Sequence, residues 1–360
     1  MKYLNQILAL VIIASTSLSV LGQKKFAQIE NLIPTPNEYR NAAGAPGHSY
    51  YQQQADYKMS LTLEDDTQIL RGTETITYTN NSPDALEYLW LQLDQNLFSK
   101  TSDTKLIRVE RMEDFRSLEQ IERKLFNYDG GFKIEEVKAT NGEDLCYAIN
   151  KTMLRIDLKQ PLKTNGSISF SIKWWYNIND RMAVGGRSGY EYFEDEDNYI
   201  YTIAQFFPRM CVYDDVSGWQ NKQFLGRGEF TLPFGNYDVS LTVPGDHIVS
   251  ATGTLQNESA VLSDAQRKRL QKARKADAPV FIVNQEEAKK TEKNKVKSLK
   301  TWRFKAKNVR DFAFASSRKF IWDAQNTTVK DKDVLCMSFY PKEGNPVSYT
   351  HLRAHETGSY

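Results

Sequence analysis

Residues 57–63 read Tyr57-Lys58-Met59-Ser60-Leu61-Thr62-Leu63. Apolar side chains fall at every second position, with Lys58, Ser60 and Thr62 between them. A strand turns successive side chains to opposite faces, whereas a helix needs apolar residues three and four apart. The stretch therefore predicts a half-buried β-strand with one apolar face. The same period returns at Ile168, Phe170, Ile172 and Trp174, and at Tyr237, Val239, Leu241 and Val243. Leu89, Leu91 and Leu93 repeat it, as do Leu154, Ile156 and Leu158. Turn formers separate these runs: Asn80-Asn81-Ser82-Pro83, Asn165-Gly166 and Pro244-Gly245-Asp246. Many short alternating strands with turns between them predict an all-β fold, an antiparallel β-sandwich or saddle of sheets, and not a parallel α/β fold.

Two segments depart from that period. Met112, Phe115, Leu118, Ile121 and Leu125 keep helical spacing, which predicts one amphipathic helix packed on the sheets. Ser263–Lys275 predicts a second helix, with Ser263 as its cap and Asp264 in its first turn. Residues 260–300 read as a charged helical insertion. Asp277, Glu286, Glu287 and Glu292 interrupt its lysines and arginines, so the run reads as a solvated face and not as a nucleic-acid site. Trp174, Trp175 and Trp302 read as core.

A chain of 360 residues can hold one large or two ordinary domains around a real core. With 40% hydrophobic and 12% aromatic residues, most of it is expected to fold. The 47 basic and 45 acidic residues leave a net charge of +2, which argues against both a nucleic-acid binder and a binder of anionic membranes. Three cysteines, Cys146, Cys211 and Cys336, exclude a complete disulfide framework and match no zinc spacing. One bridge and buried free thiols both remain open.

At the amino terminus, Lys2, the short apolar run Ile7–Ile13 and the small residues of Ser15–Gly22 form a signal-peptide pattern over residues 1–22, with cleavage before Gln23. The apolar run is too short to span a bilayer. The mature chain is therefore expected outside the cytoplasm, periplasmic or extracellular, with no membrane anchor. Residues 23–45 read as an irregular leader, and the β-sandwich domain is expected over residues 46–325. The tail Val347–Thr357 (VSYTHLRAHET) resembles the translation of a sequencing-library adapter, so residues 347–360 are read as an artefact. His351, His355 and Glu356 are accordingly set aside as metal ligands; Glu356 also follows the second histidine where a zinc-peptidase helix places it after the first.

Few internal motifs carry chemistry on their own. Gly185-Gly186-Arg187-Ser188-Gly189 lacks the Lys-Ser/Thr of a phosphate loop and reads as a flexible loop near a cleft. Glu191, Glu194, Asp195, Glu196 and Asp197 lack the spacing and central glycine of an EF-hand, so calcium is the weaker reading. Asp214 and Asp215 are expected to fix the turn into Gly218-Trp219.

Four stretches resemble one family. Gly72–Asp84 (GTETITYTNNSPD) resembles the early strand and turn of bacterial members of peptidase family M1, the aminopeptidase N-like zinc metallopeptidases. Tyr199–Trp219 (YIYTIAQFFPRMCVYDDVSGW) is similar to the segment lining the active-site side of their amino-terminal domain. Gly228–Gly253 looks like the strand pair that follows, and Val309–Ala324 (VRDFAFASSRKFIWDA) like the strand leading toward the catalytic domain. The resemblance covers about residues 46–346 and rests on the order of the stretches. It implies a saddle-like amino-terminal domain preceding a catalytic domain, whose start would be residues 326–346. In that module His-Glu-x-x-His and a distal Glu bind the zinc cofactor. No such motif occurs here, so no catalytic or metal residue is assigned on this chain, which alone is expected to be inactive. The family's amino-terminal domain contributes a Gln or Glu that binds the free α-amine of peptide substrates. Gln205 is the position matched to that α-amine anchor, since an amide oxygen accepts hydrogen bonds from an ammonium.

Two other classes fit the same strand pattern. A secreted non-catalytic β-sandwich binding module needs no downstream zinc motif. A carbohydrate-cleaving sandwich enzyme needs two carboxylates facing one cleft, and no such pair can be placed from sequence.

Overall fold

The computed structural model of the chain describes residues 36–107, 128–228 and 230–344. The expected signal peptide at residues 1–22, residues 23–35 of the expected leader, the predicted helix at Met112–Leu125 and the adapter-like tail lie outside them. The chain divides into two compact units at Tyr50 and Tyr51. In the first, asparagine side chains hold tight turns: Asn37 Oδ1 accepts from the N–H groups of Tyr39 and Arg40 at 2.9 Å each.

The second unit carries the β-fold. In chain order its elements begin with β1 (Gln54–Glu64), β2 (Ile69–Thr79), β3 (Leu86–Gln92), α1 (Asp103–Ile107), β4 (Lys133–Ala139), β5 (Tyr147–Asn150), β6 (Met153–Leu162) and β7 (Ser167–Asn177). There follow β8 (Gly189–Phe193), β9 (Asn198–Ile203), β10 (Arg209–Met210), β11 (Tyr213–Asp214), β12 (Gly218–Trp219), β13 (Gly235–Pro244), β14 (Ile248–Ala251) and β15 (Thr254–Leu255). The last are α2 (Glu258–Val261), α3 (Asp264–Ala273), β16 (Val280–Val283), α4 (Gln285–Glu292), β17 (Leu299–Val309), β18 (Phe314–Ser317), β19 (Ile321–Val329) and β20 (Lys332–Tyr340).

The largest sheet runs β15-β17-β13-β1-β2-β7-β4. Smaller sheets run β10-β3-β6-β5, β14-β18-β9-β8 and β16-β19-β20, with β11 and β12 as a separate hairpin. The fold is all-β, as the alternation predicts. Neighbouring strands are antiparallel with one departure: β1 and β13 pair in parallel, Tyr57 to Tyr237 through Thr62 to Thr242. Parallel partners need a long crossover, and here it is everything from β2 to β12.

The alternating residues of β1, β7 and β13 all turn to one inner face. Across it, register places Trp302, Leu241, Leu61, Gly72 and Trp174 in a row. Gly72 is required there: a Cβ would sit 2.3 Å from the Trp174 ring. The leucines of β3 and β6 join the same core. Each such buried side chain contributes roughly 1.5–3 kcal/mol of transfer free energy. Trp175 takes the outer face, under the Arg71 guanidinium.

α3 starts where its cap predicts. Ser263 accepts from the Gln266 N–H while Gln266 reaches back to the Ser263 N–H, a reciprocal capping box. The insertion is not wholly helical, however. Val280–Val283 is β-branched and apolar enough to form β16, which pairs with β19 and buries Ile282 and Val283. Val309–Ala324 is likewise not one strand: a turn at Arg318-Lys319-Phe320 separates β18 from β19.

Candidate functional site

Gln205 lies two residues beyond β9, on the corner that carries the chain into β10. Its φ is +53°, a left-handed conformation that costs a non-glycine residue about 1–2 kcal/mol. Several contacts hold the corner in that shape. The Ala204 N–H donates to Ser188 Oγ at 3.1 Å, and Gln95 Nε2 donates to the Gln205 carbonyl at 2.9 Å. Phe206 and Phe207 are fully buried on the inner face of the large sheet, where Phe207 meets Tyr57 edge-on at 5.3 Å. The Met210 N–H donates to the Tyr57 hydroxyl at 2.9 Å. With its backbone so pinned, the half-exposed Gln205 side chain stays outside this hydrogen-bond network.

The following residue of consequence is Arg209, which sequence reading left unassigned. It is buried and forms a fork on Asp94, with Nη2 to Oδ1 at 2.8 Å and Nε to Oδ2 at 3.1 Å. Its Nη1 reaches Asp311 at 2.6 Å. Burial raises the pKa of both carboxyls, against the opposing pull of Arg209. The triad ties the corner to the turn after β3 and to the segment between β17 and β18. A lone arginine after Phe-Phe-Pro was the one available signal, since charge in an apolar run must find a partner.

The other sequence candidates resolve as follows. The glycine-rich loop lies beside the corner through Ser188. Asp214 fixes the β11–β12 turn, its Oδ1 accepting from the N–H groups of Val216 at 3.0 Å and Ser217 at 2.8 Å. The acidic run is largely spent on cations: Glu191 pairs with Arg181, Glu196 with Lys319 and Lys342, and Asp197 with Lys295. Lys319 has no exposed surface; Glu196, Glu292 and Glu343 surround its ammonium at 3.1, 3.4 and 3.3 Å. Arg318 beside it contacts Asp65 at 2.7 Å and Asp246 at 3.0 Å.

His247 lies buried in this second network, with Nδ1 2.9 Å from Ser316 Oγ and Nε2 3.9 Å from Asp65. Burial pushes its pKa down to about 4, against the attraction of Asp65 and Asp246 and with the repulsion of Arg318. Its folded pKa lies below the ordinary 6.5, so its stabilising share is full above pH 6.5 and is lost as pH falls toward 4. His247→Gln is therefore expected to flatten the fall in melting temperature between pH 7 and pH 5. An unchanged slope in the variant would exclude His247 as its source.

Among the described residues, no group of three or more His, Cys, Asp or Glu side chains could hold a metal ion. Those described residues do not fit a catalytic zinc, and no step through zinc is derived from them. No helix of the described residues is long and apolar enough to cross a membrane. On the outer face of the large sheet lies a depression of about 540 Å³, floored by hydroxyls such as Ser60, Thr73 and Thr242 and edged by Arg71, Lys173 and Arg303. The sheet itself separates it from the Gln205 corner.

No protein-family model matches the chain, and no curated protein matches it. Among solved structures it is similar to an M1 zinc metallopeptidase from Deinococcus radiodurans, at 12% identity and a TM-score of 0.44, over 82% of this chain and 49% of that one. A point mutant of the same enzyme matches at 12% identity and a TM-score of 0.43, over 83% and 50%. That mutant bound to a Tyr-Ser-Ala substrate matches at 12% identity and 0.42, again over 83% and 50%. The chain spans about half the length of these structures.

Proposed function

We propose that this chain is the amino-terminal recognition domain of an exported zinc aminopeptidase of family M1, an enzyme that removes amino-terminal residues from peptides. The observation that carries the reading is the Tyr199–Trp219 stretch, which resembles the family segment lining the active site. Its folding into a pinned corner that leaves the Gln205 amide uncommitted supports the same reading. In this proposal Gln205 Oε1 accepts a hydrogen bond from the substrate's α-ammonium. The recognition domain is read over residues 46–325 and the catalytic one from residues 326–346, a boundary that falls inside β19, so that the β19–β20 hairpin joins the two. Zinc, the general base and the hydrolysis belong to that module, and this chain alone cleaves nothing.

The reading is tested first on the source gene. Continuation beyond the Pro346 codon into a His-Glu-x-x-His helix with a distal Glu is the expected result. A gene without that motif would sink the enzyme reading and leave a secreted binding module. Gln205 is tested separately, in the full-length enzyme. Gln205→Leu is expected to cost about 1.5–3 kcal/mol in kcat/KM toward peptides, the range for a hydrogen bond to a charged group. An unchanged kcat/KM would remove Gln205 from the site.

A further inference from the structure

Past Leu93, the residue that follows β3, the next three side chains are polar and yet buried: Asp94, Gln95 and Asn96. They open a 3₁₀ turn over Asp94–Phe98. Buried polar groups need partners, and each of these three reaches a different segment. Asn96 Oδ1 accepts from the Phe132 N–H at 2.7 Å, and its Nδ2 donates to the Lys151 carbonyl at 2.6 Å. Asp94 receives the Arg209 fork. Gln95 Nε2 donates to the Gln205 carbonyl at 2.9 Å. Asp94 and Gln95, neighbours on one turn, therefore grip the two ends of the bend that runs from Gln205 to Arg209.

The Gln205 carbonyl belongs to the peptide plane that sets this residue's ψ, and its φ is +53°. The two angles fix the direction of the Cα–Cβ bond, and so the direction in which the side chain leaves the backbone. Glycine takes a left-handed conformation without strain, whereas another residue keeps it only where its surroundings over-determine it. Such strain gathers where a side chain has a task. Gln95 makes this one bond through its amide; its Oε1 has no hydrogen-bond partner among the described residues.

We propose that Gln95 is the positioning residue for Gln205: its amide holds the Gln205 carbonyl and thereby aims the Gln205 side chain at the substrate's α-ammonium, while Asp94 steadies the far end of the bend through Arg209. This assignment rests on the reading of Gln205 as the α-amine anchor. Gln95 touches no substrate and acts only through Gln205, so the two residues are coupled and their effects on substrate binding do not add.

A double-mutant cycle in the full-length enzyme tests this, with kcat and KM measured on peptides that have a free amino terminus. Gln95→Met roughly keeps the side-chain volume and removes the donor. It is expected to raise KM about tenfold with kcat unchanged, because the anchor acts alike on bound substrate and transition state. On a Gln205→Leu background the same change is expected to leave KM where Gln205→Leu has put it. Should Gln95→Met misfold, Gln95→Glu takes its place, since an ionised carboxylate cannot donate. The same rise in KM on both backgrounds, which a purely structural role would produce, overturns the assignment. So does an unchanged KM for Gln95→Met when Gln205→Leu has lost affinity. A wild-type KM for Gln205→Leu overturns the α-amine reading itself, and the positioning role falls with it.

Discussion

Arg209→Met is expected to destabilise the domain by about 3–5 kcal/mol, the cost of removing one partner from a buried ion pair. The fork on Asp94 is nearly solvent-free, with side-chain exposures of 6% for Arg209 and 2% for Asp94. Without the guanidinium, the Asp94 carboxylate is stranded and must take up a proton to stay buried. The loss should therefore shrink as pH falls, because the variant's Asp94 protonates more readily. Urea denaturation of Arg209→Met, Asp94→Asn and the double variant at pH 7 measures it. The double variant is expected to be more stable than the two single losses added together, since each single change orphans the other's partner. A loss below about 1 kcal/mol for Arg209→Met would mean that water reaches Asp94, and that the corner is not held by this pair.

Glu74→Gln is expected to act in the opposite direction. Glu74 sits at the centre of β2 on the inner face, without exposed surface, and neither carboxyl oxygen has a hydrogen-bond partner. Register places it between Met59 and Ile172. Burial holds its pKa well above the ordinary 4.5. The folded chain thus keeps a proton that the unfolded chain releases near pH 4.5, so stability is full below that pH and declines as pH rises toward the folded pKa. The slope is about 1.4 kcal/mol per pH unit for one such group. Glutamine has the same shape and no proton to lose, so its advantage over the wild type should grow from pH 5 to pH 8. Denaturation midpoints at four pH values decide the matter. A constant gap would show that the native carboxyl ionises beside a counter-charge.

Both effects lie where the sequence was hardest to read. The segment around Glu74 (GTETITYT) alternates well enough to be a strand, yet its period puts an acid where apolar residues belong. Local reading would sooner shift the face by one residue than bury a carboxyl. Arg209 carried no assignment from sequence, because its partner Asp94 is 115 positions away. Lys319 offered still less: a lysine beside an arginine normally marks solvent, and Glu196, Glu292, Glu343 and the face of the Phe193 ring make its burial tolerable. Gln205 was marked by resemblance, while its left-handed backbone and the Gln95 bond that steadies it carry no sequence signature.

What the sequence determined by itself is everything governed by near neighbours. Period-two alternation made strands of Tyr57–Leu63, Ile168–Trp174 and Tyr237–Val243, because side-chain direction along a strand is a property of adjacent residues. Ser263 and Gln266 capped α3 because both bonds close within one turn. Asp214 shaped its turn for the same reason. The tertiary structure alone decided the parallel pairing of β1 with β13 and the burial of Glu74, Arg209, His247 and Lys319. Each depends on groups brought together from distant positions. Desolvation and pairing act through space, and no local pattern in the chain encodes which charge will lose its water or which strands will become neighbours.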